Sequence, residues 1–246
     1  MHALAIIALT IGFYAWLAQK TAPLFSRIIL RLMTFGRQSV YARLQVARLL
    51  VATVQQMLFF LLLLWLTQMN PLHGMALDAR NLLVGIFLGL GLMGTASLLC
   101  QVAVGITDLV TPSPELRTMA DWQVLLRGGW MGQFYQALEI LPYWLIILLT
   151  SAYVSVEEVL FRSLLIESFL LYGQFPAWAL SLALFLLAQW IPMPNWRSSL
   201  FPLVGAGTLG AIHGFLYLRD TNIAVLVVSH IAFFMLAVRR RECLEG

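Results

Sequence analysis

The sequence predicts an all-α fold, a polytopic transmembrane helical bundle with seven or eight spans. Hydrophobic residues make up 61% of the 246 residues and charged residues only 11%, whereas soluble domains contain roughly 45–50% and 25%. The mean hydropathy is +0.87, and several apolar runs approach the roughly 20 residues that a helix needs to cross a bilayer. A soluble fold would expose more apolar surface than water tolerates. We therefore expect an integral, multi-pass membrane protein.

Seven apolar segments predict spans. They lie near residues 3–19, 46–67, 81–105, 134–154, 177–192, 199–218 and 222–237. A further helix is predicted at about 157–171, closed by Gly173 and Pro176, which interrupt helix propagation. Its length of about 15 residues is short for crossing, so it is either a tilted span or a helix partly buried among the others.

Basic residues cluster in two regions. The connector between the first two spans has no acidic residue and contains Lys20, Arg27, Arg31, Arg37, Arg43 and Arg48. Its apolar residues recur at helical intervals, which predicts an amphipathic surface helix over part of it. A second basic group, Arg239 to Arg241, lies near the C-terminus. The positive-inside rule places both groups in the cytoplasm, which fits seven crossings if 157–171 does not cross fully.

This excess of positive charge is typical of membrane orientation and of contact with anionic lipid headgroups. The expected partners are therefore the lipid bilayer and a membrane protein, with no nucleic acid. We expect the protein in the plasma (inner) membrane of a bacterium. Cys100 and Cys243 suggest neither a disulfide framework nor a zinc site.

The chain is predicted to divide into three parts. Residues 1–132 hold the N-terminal spans, the basic connector and a polar loop, 133–238 form a core that carries the polar motifs, and 239–246 are a basic tail. The polar loop, at about 106–132, is a candidate for a short helix of its own. Its charged residues are Asp108, Glu115, Arg117, Asp121 and Arg127.

The stretch "SVEEVLFRSLL", Ser155 to Leu165, places two carboxylates and an arginine among apolar residues. A structural interpretation is that Ser155 and Glu158 form a capping box and that Glu158 pairs with Arg162 one turn later, so that the cluster merely begins a helix. A functional interpretation starts from the free energy of membrane insertion. An ionisable residue at membrane depth costs at least about 2.5 kcal/mol, so it usually faces a cavity or a partner. Adjacent helical residues point about 100° apart. One of the two glutamates can therefore engage Arg162 while the other faces a polar cavity and activates water.

Polar residues are few in the later spans. They are Gln189 in "FLLAQW", His213 in "LGAIHGFLY" and His230 in "VVSHIAFF". Each alone is typical of a hydrogen bond between helices. Together, downstream of the glutamates, they indicate one shared polar site.

These motifs resemble the CAAX-protease and bacteriocin-processing (Abi) family of intramembrane proteases. That family has Glu-Glu-x-x-x-Arg, then Phe-x-x-x-His, a glycine-rich helix, and His-x-x-x-Asn. The first motif is complete here as Glu157, Glu158 and Arg162, Phe185 begins the second, and His230 begins the last. The resemblance covers about residues 130–238. It implies that the first glutamate and the second-motif histidine activate the attacking water, while the last histidine and asparagine stabilise the oxyanion.

Two positions depart from the family pattern. Gln189 occupies the place of the second-motif histidine, and Phe234 that of the final asparagine. Glutamine can orient a water but cannot take a proton, and the loss of one oxyanion donor costs about 10²–10³ in rate in soluble enzymes. We hypothesise that His213, between Gly210 and Gly214, points into the same cavity and supplies the lost imidazole.

The resemblance implies an intramembrane endopeptidase that cleaves a membrane-anchored or lipidated protein or peptide. Glu157 is then the base, Glu158 and Arg162 the pair that fixes it, and His230 the oxyanion donor. Gln189 and His213 complete the site. We expect no cofactor and no metal, because water activation by a glutamate and a histidine needs none.

Two other classes of function are open. A catalytically impaired pseudoprotease would bind a membrane protein or lipidated partner in the same cavity without cutting it, and the departures at Gln189 and Phe234 favour it. A small transporter is disfavoured, since the sequence has no visible inverted repeat and no paired broken helices.

Overall fold

The computed structural model describes residues 2–32, 40–70, 72, 75–110 and 129–237. Nearly all of these residues are helical and none is in a strand, which confirms the predicted all-α class. Most of the polar loop at 106–132 and the basic tail at 239–246 lie outside the described residues. The eight helices within the described ranges are α1 (residues 2–32), α2 (Val40–Thr67), α3 (Ala79–Val110), α4 (Gly129–Ile140), α5 (Tyr143–Tyr172), α6 (Gln174–Trp190), α7 (Trp196–Tyr217) and α8 (Ile223–Ala237).

Five of these helices, α1, α2, α3, α5 and α7, are long and apolar enough to cross a membrane. Helix α6 and most of α8 are shorter apolar helices. The chain is thus an integral membrane protein, as its composition predicted. The amphipathic segment expected in the basic connector is helical and continues the first span without a break, as Ala18–Leu32.

The break between α4 and α5 differs from the prediction. A span was predicted at 134–154 and a separate helix at 157–171, but α4 ends at Ile140 and one helix runs from Tyr143 to Tyr172. Pro142 is the reason, because proline cannot continue the preceding helix; it caps the start of α5 instead. No glycine or proline follows within α5. The capping-box interpretation of Ser155 and Glu158 is therefore wrong, since both lie inside α5.

Helix α8 packs extensively against α3 on one side and against α5 on another. Two glycines one turn apart on α3, Gly85 and Gly89, permit the close approach. A Cβ atom at Gly89 would lie 2.4 Å from the carbonyl oxygen of Ser229 and 2.9 Å from the Cβ of Ala232. Gly-x-x-x-Gly pairs are typical of tightly packed membrane helices. This contact positions the part of α8 that carries His230.

We expect Gly89→Ala to lower the free energy of unfolding by about 1–3 kcal/mol, the usual cost of overpacking. The added methyl group meets backbone of α8, which cannot yield without displacing the helix. Chemical unfolding in detergent measures the effect. Gly91→Ala on the same helix is the matched control, because a Cβ there meets no atom within 4 Å. If both variants unfold at the same denaturant concentration, the close packing of α3 on α8 is not what holds α8.

Candidate active site

The polar residues that the sequence singled out meet inside the bundle, and they come from four helices. Helix α5 contributes Glu157, Glu158 and Arg162, α6 contributes Gln189, α7 contributes His213 and α8 contributes His230. All six residues are buried, and none is more than 7% exposed. Ionisable groups buried together in a membrane protein need one another as partners, and the contacts below show how they are paired.

Glu158 is fully buried and is the centre of this network. Its Oε2 lies 3.4 Å from Nε of Arg162 and 2.9 Å from Nδ1 of His213. Its Oε1 lies 2.9 Å from Nδ1 of His230, a close contact without the alignment of a hydrogen bond. One carboxylate therefore holds side chains of α5, α7 and α8 in place.

His213 has protein partners at both ring nitrogens. Nδ1 contacts Glu158, and Nε2 lies 3.0 Å from the hydroxyl oxygen of Ser229 on α8. The ring is completely buried and does not line the cavity beside Glu157. Glu158 and Ser229 hold its ring within the protein interior, and the hypothesis that His213 supplies the lost imidazole stays a prediction. His213 connects α7 with α5 and α8.

Phe185, which begins the second motif of the resemblance, contacts two of the polar side chains of the site. The guanidinium carbon of Arg162 lies 4.6 Å from the centre of its ring, an arrangement that stabilises a cation. The His230 ring meets Phe185 edge-on, with ring centres 6.3 Å apart and an interplanar angle of 85°. Phe185 thereby fixes the positions of both Arg162 and His230.

Glu157 is the carboxylate that faces a cavity. The side-chain amide of Gln189 donates to its Oε1 over 3.0 Å, and Nε2 of His230 lies 4.0 Å from its Oε2. Tyr153, one turn earlier on α5, interacts with the same carboxylate. Glu157, Gln189 and His230 all line the cavity. Gln189, at the position of the second-motif histidine, thus donates a hydrogen bond to Glu157 but cannot accept a proton.

The cavity beside Glu157 has a volume of about 370 Å³, within the range of ligand pockets. Its walls are mostly apolar and include residues of α3, such as Met93 and Ala96. Phe234, in the place of the family asparagine, lines the cavity and packs against Phe134 with ring centres 4.7 Å apart. Where the resemblance implies an oxyanion donor, this chain has an aromatic wall.

The helix widens next to Arg162, where Val159–Leu164 forms a π-helical turn. The N–H of Leu165 binds the carbonyl of Leu160, so the Phe161 carbonyl loses the donor that an α-helix would supply. The hydroxyl of Ser181 on α6 donates to that carbonyl instead. Single π turns are frequent at functional sites. Here the turn ties α6 to α5 beside the buried arginine.

Sequence reasoning missed three supporting residues. Ser229 directly precedes His230, and Tyr153 lies one helical turn before Glu157, so their closeness to predicted site residues could have indicated both. Ser181 had none, because it binds a backbone carbonyl of another helix.

Within the described ranges, no group of three or more His, Cys, Asp or Glu residues is arranged to hold a metal ion. The titratable side chains of the site contact one another instead, with Glu158 between His213 and His230. The expectation that the site works without a metal or cofactor stays a prediction.

Residues 137–236 match a family model described as "Type II CAAX prenyl endopeptidase Rce1-like". The matched segment contains every polar residue of the site and ends within α8. Comparisons with curated proteins and with solved structures gave no match. At the level of the family, the match supports an endopeptidase that acts within a membrane. The predicted resemblance to the CAAX-protease family is thus confirmed for the segment that builds the site, residues 137–236.

Proposed function

We propose that this protein is an intramembrane endopeptidase that hydrolyses a membrane-anchored or lipidated protein or peptide with water activated by Glu157. The observation that carries the proposal is the different environment of the two adjacent glutamates. Glu158 is enclosed by Arg162 and two histidines, whereas Glu157 lines an apolar cavity. A purely structural cluster gains nothing from a carboxylate placed at a cavity, because an incompletely paired buried charge is costly.

In the proposed reaction, Oε2 of Glu157 takes a proton from a water beside it, and Gln189 holds the other carboxylate oxygen. The resulting hydroxide attacks the scissile carbonyl, and Glu157 returns the proton to the departing amide nitrogen. Nε2 of His230, 4.0 Å from the Glu157 carboxylate, is the proposed donor to the oxyanion. Glu158 at Nδ1 keeps the ring directed at the cavity.

The lining of the cavity favours a substrate with an apolar group beside the scissile bond. Aromatic side chains form much of its wall, among them Phe201, Phe233 and Phe234. Apolar pockets with a few polar groups bind apolar ligands and orient them through those groups. A lipid chain or an apolar peptide segment fits this lining.

A second candidate function is that of a pseudoprotease, which binds the same kind of partner without cutting it. Two observations favour it: Gln189 cannot accept a proton, and Phe234 offers no hydrogen bond to an oxyanion. The intact contacts of Glu157 with Gln189 and His230 favour the endopeptidase.

We expect Gln189→His to raise the cleavage rate, because the histidine adds a proton acceptor beside Glu157. A gain of about 10²-fold is at the lower end of the range for general acid–base catalysis. The assay uses membranes that contain the protein and a panel of tagged membrane-anchored and lipidated substrates, with fragments identified by mass spectrometry. Gln101→His is the matched control, because Gln101 lines the same cavity from α3 without a contact to Glu157.

Cleavage by the wild type establishes the endopeptidase, and acceleration only by Gln189→His establishes the role of that position. If neither protein cuts any substrate while a panel member copurifies with both, the pseudoprotease is the correct function.

A further inference from the structure

A second cavity, of about 430 Å³, lies among α1, α2, α4, α5 and the segment that follows α6. Its lining is rich in hydrogen-bond donors. The polar side chains are Tyr14, Gln19, Arg48, Gln55, Gln56, Gln133 and Tyr153. No carboxylate is among the lining residues, and the first acidic residue of the whole sequence is Asp78. Arg48 is therefore the charged residue of this lining, and no lining side chain is its counter-ion.

Two of these donors have no acceptor among the described residues. Gln56 is 2% exposed, and its amide nitrogen has no hydrogen-bond partner in the part of the chain that the structure describes. The same holds for the buried hydroxyl of Tyr14. Arg48 forms no ion pair with a described carboxylate. Buried donors left without acceptors are costly, so the cavity suits an occupant with several acceptor atoms and a negative charge.

We propose that the second cavity binds the phosphate group of an anionic ligand, with Arg48 and Gln56 as its binding residues. Guanidinium groups pair with phosphate through two parallel hydrogen bonds, and basic pockets between transmembrane helices bind phospholipid headgroups. The amide of Gln56 and the hydroxyl of Tyr14 supply further donors. The ligand is the headgroup of an acidic phospholipid or a free phosphate.

The surroundings of the cavity favour the lipid. On α1, next to the lining residues Ala22 and Pro23, Leu24 and Phe25 are 58% and 47% exposed and provide an apolar surface for acyl chains. Lys20 and Arg31 lie on the same helix, and basic residues near a membrane surface attract acidic lipids. The two cavities share no lining residue, although Tyr14 and Tyr153, which line the second cavity, both interact with Glu157.

The test uses the full-length protein in phosphatidylcholine nanodiscs, with and without added phosphatidylglycerol, and measures the melting temperature. Phosphatidylglycerol is expected to raise that of the wild type. Arg48→Gln should weaken the apparent affinity roughly 10-fold or more, the effect of losing a hydrogen bond between charged groups. Arg27→Gln removes the same charge from an exposed position on α1 and should keep the full response. A separate arm adds inorganic phosphate to phosphatidylcholine nanodiscs: a saturable shift there identifies free phosphate as the ligand, and its absence identifies the lipid.

Gln56→Met keeps the test decisive even if Arg48→Gln does not fold. It replaces an unsatisfied amide with an apolar side chain of similar size, so the fold should be retained or stabilised, while the response to the ligand should weaken. No response of the wild type to either ligand overturns the proposal. Equal responses of the wild type, Gln56→Met, Arg48→Gln and Arg27→Gln also overturn it, because neither Arg48 nor Gln56 would then contribute to binding.

Discussion

Glu157→Gln is expected to abolish proteolysis, with a loss of about 10²–10⁴ in rate, the contribution of a positioned acid–base group. The amide preserves the size of the side chain and can still form a hydrogen bond with Gln189, but it cannot accept the proton of the attacking water. The measurement is the appearance of the cleaved fragment in membranes, compared with the wild type at equal amounts of protein.

Glu167→Gln is the matched control for this experiment. Glu167 lies on the same helix, α5, is partly buried and accepts a hydrogen bond from Tyr217, but it does not line the cavity. It should cleave at nearly the wild-type rate. Unchanged cleavage by Glu157→Gln would show that the base is another residue, and His230 would then be the first to examine. Equal losses in both variants would indicate a disturbed helix and not a lost base.

Glu158→Gln is expected to lower the free energy of unfolding by about 3–5 kcal/mol, the cost of breaking a buried ion pair by removing one partner. The change leaves the guanidinium of Arg162 buried without a counter-ion and withdraws the charged partner of His213 and His230. Chemical unfolding in detergent, followed by circular dichroism, measures this loss.

The double variant Glu158→Gln, Arg162→Met separates charge from structure. Replacement of a whole buried ion pair by groups of similar volume is often neutral or stabilising, so the double variant should regain much of the stability. It should not regain cleavage, because His230 still lacks the carboxylate at Nδ1. If the single variant is as stable as the wild type, Glu158 does not hold the bundle together in the way its contacts indicate.

Local sequence patterns misled at one element. Ser155 and Glu158 match a capping box, yet they lie in the interior of α5. The same spacing of side chains also occurs inside helices. The start of α5 is set instead by the residue that ends the preceding helix. Pro142 is that residue, about a dozen residues before the predicted start. The same residue divides the span predicted at 134–154.

The polar site was predictable as a set of residues but not as a network. The free-energy cost of placing a carboxylate in the membrane indicated Glu157 and Glu158 as site residues, and the motif spacing indicated Gln189 and His230. The partner of His213 was not predictable, because it depends on how closely α7 approaches its neighbours. A Cβ at Gly210 would lie 2.8 Å from Leu182 of α6, and no local pattern states which helix a glycine faces.

The amino-acid sequence by itself determined that this protein is an α-helical membrane protein and which few ionisable residues it buries. Composition and the cost of charge in a bilayer are sufficient for both conclusions. Only the tertiary structure decided that Glu157 faces a cavity while Glu158 is enclosed, and that α3 and Phe234 form the cavity walls. It also created the second cavity around Arg48. The spacing of residues along a helix predicts which of its faces is polar. Which other helix contacts that face is set by packing between segments distant in sequence.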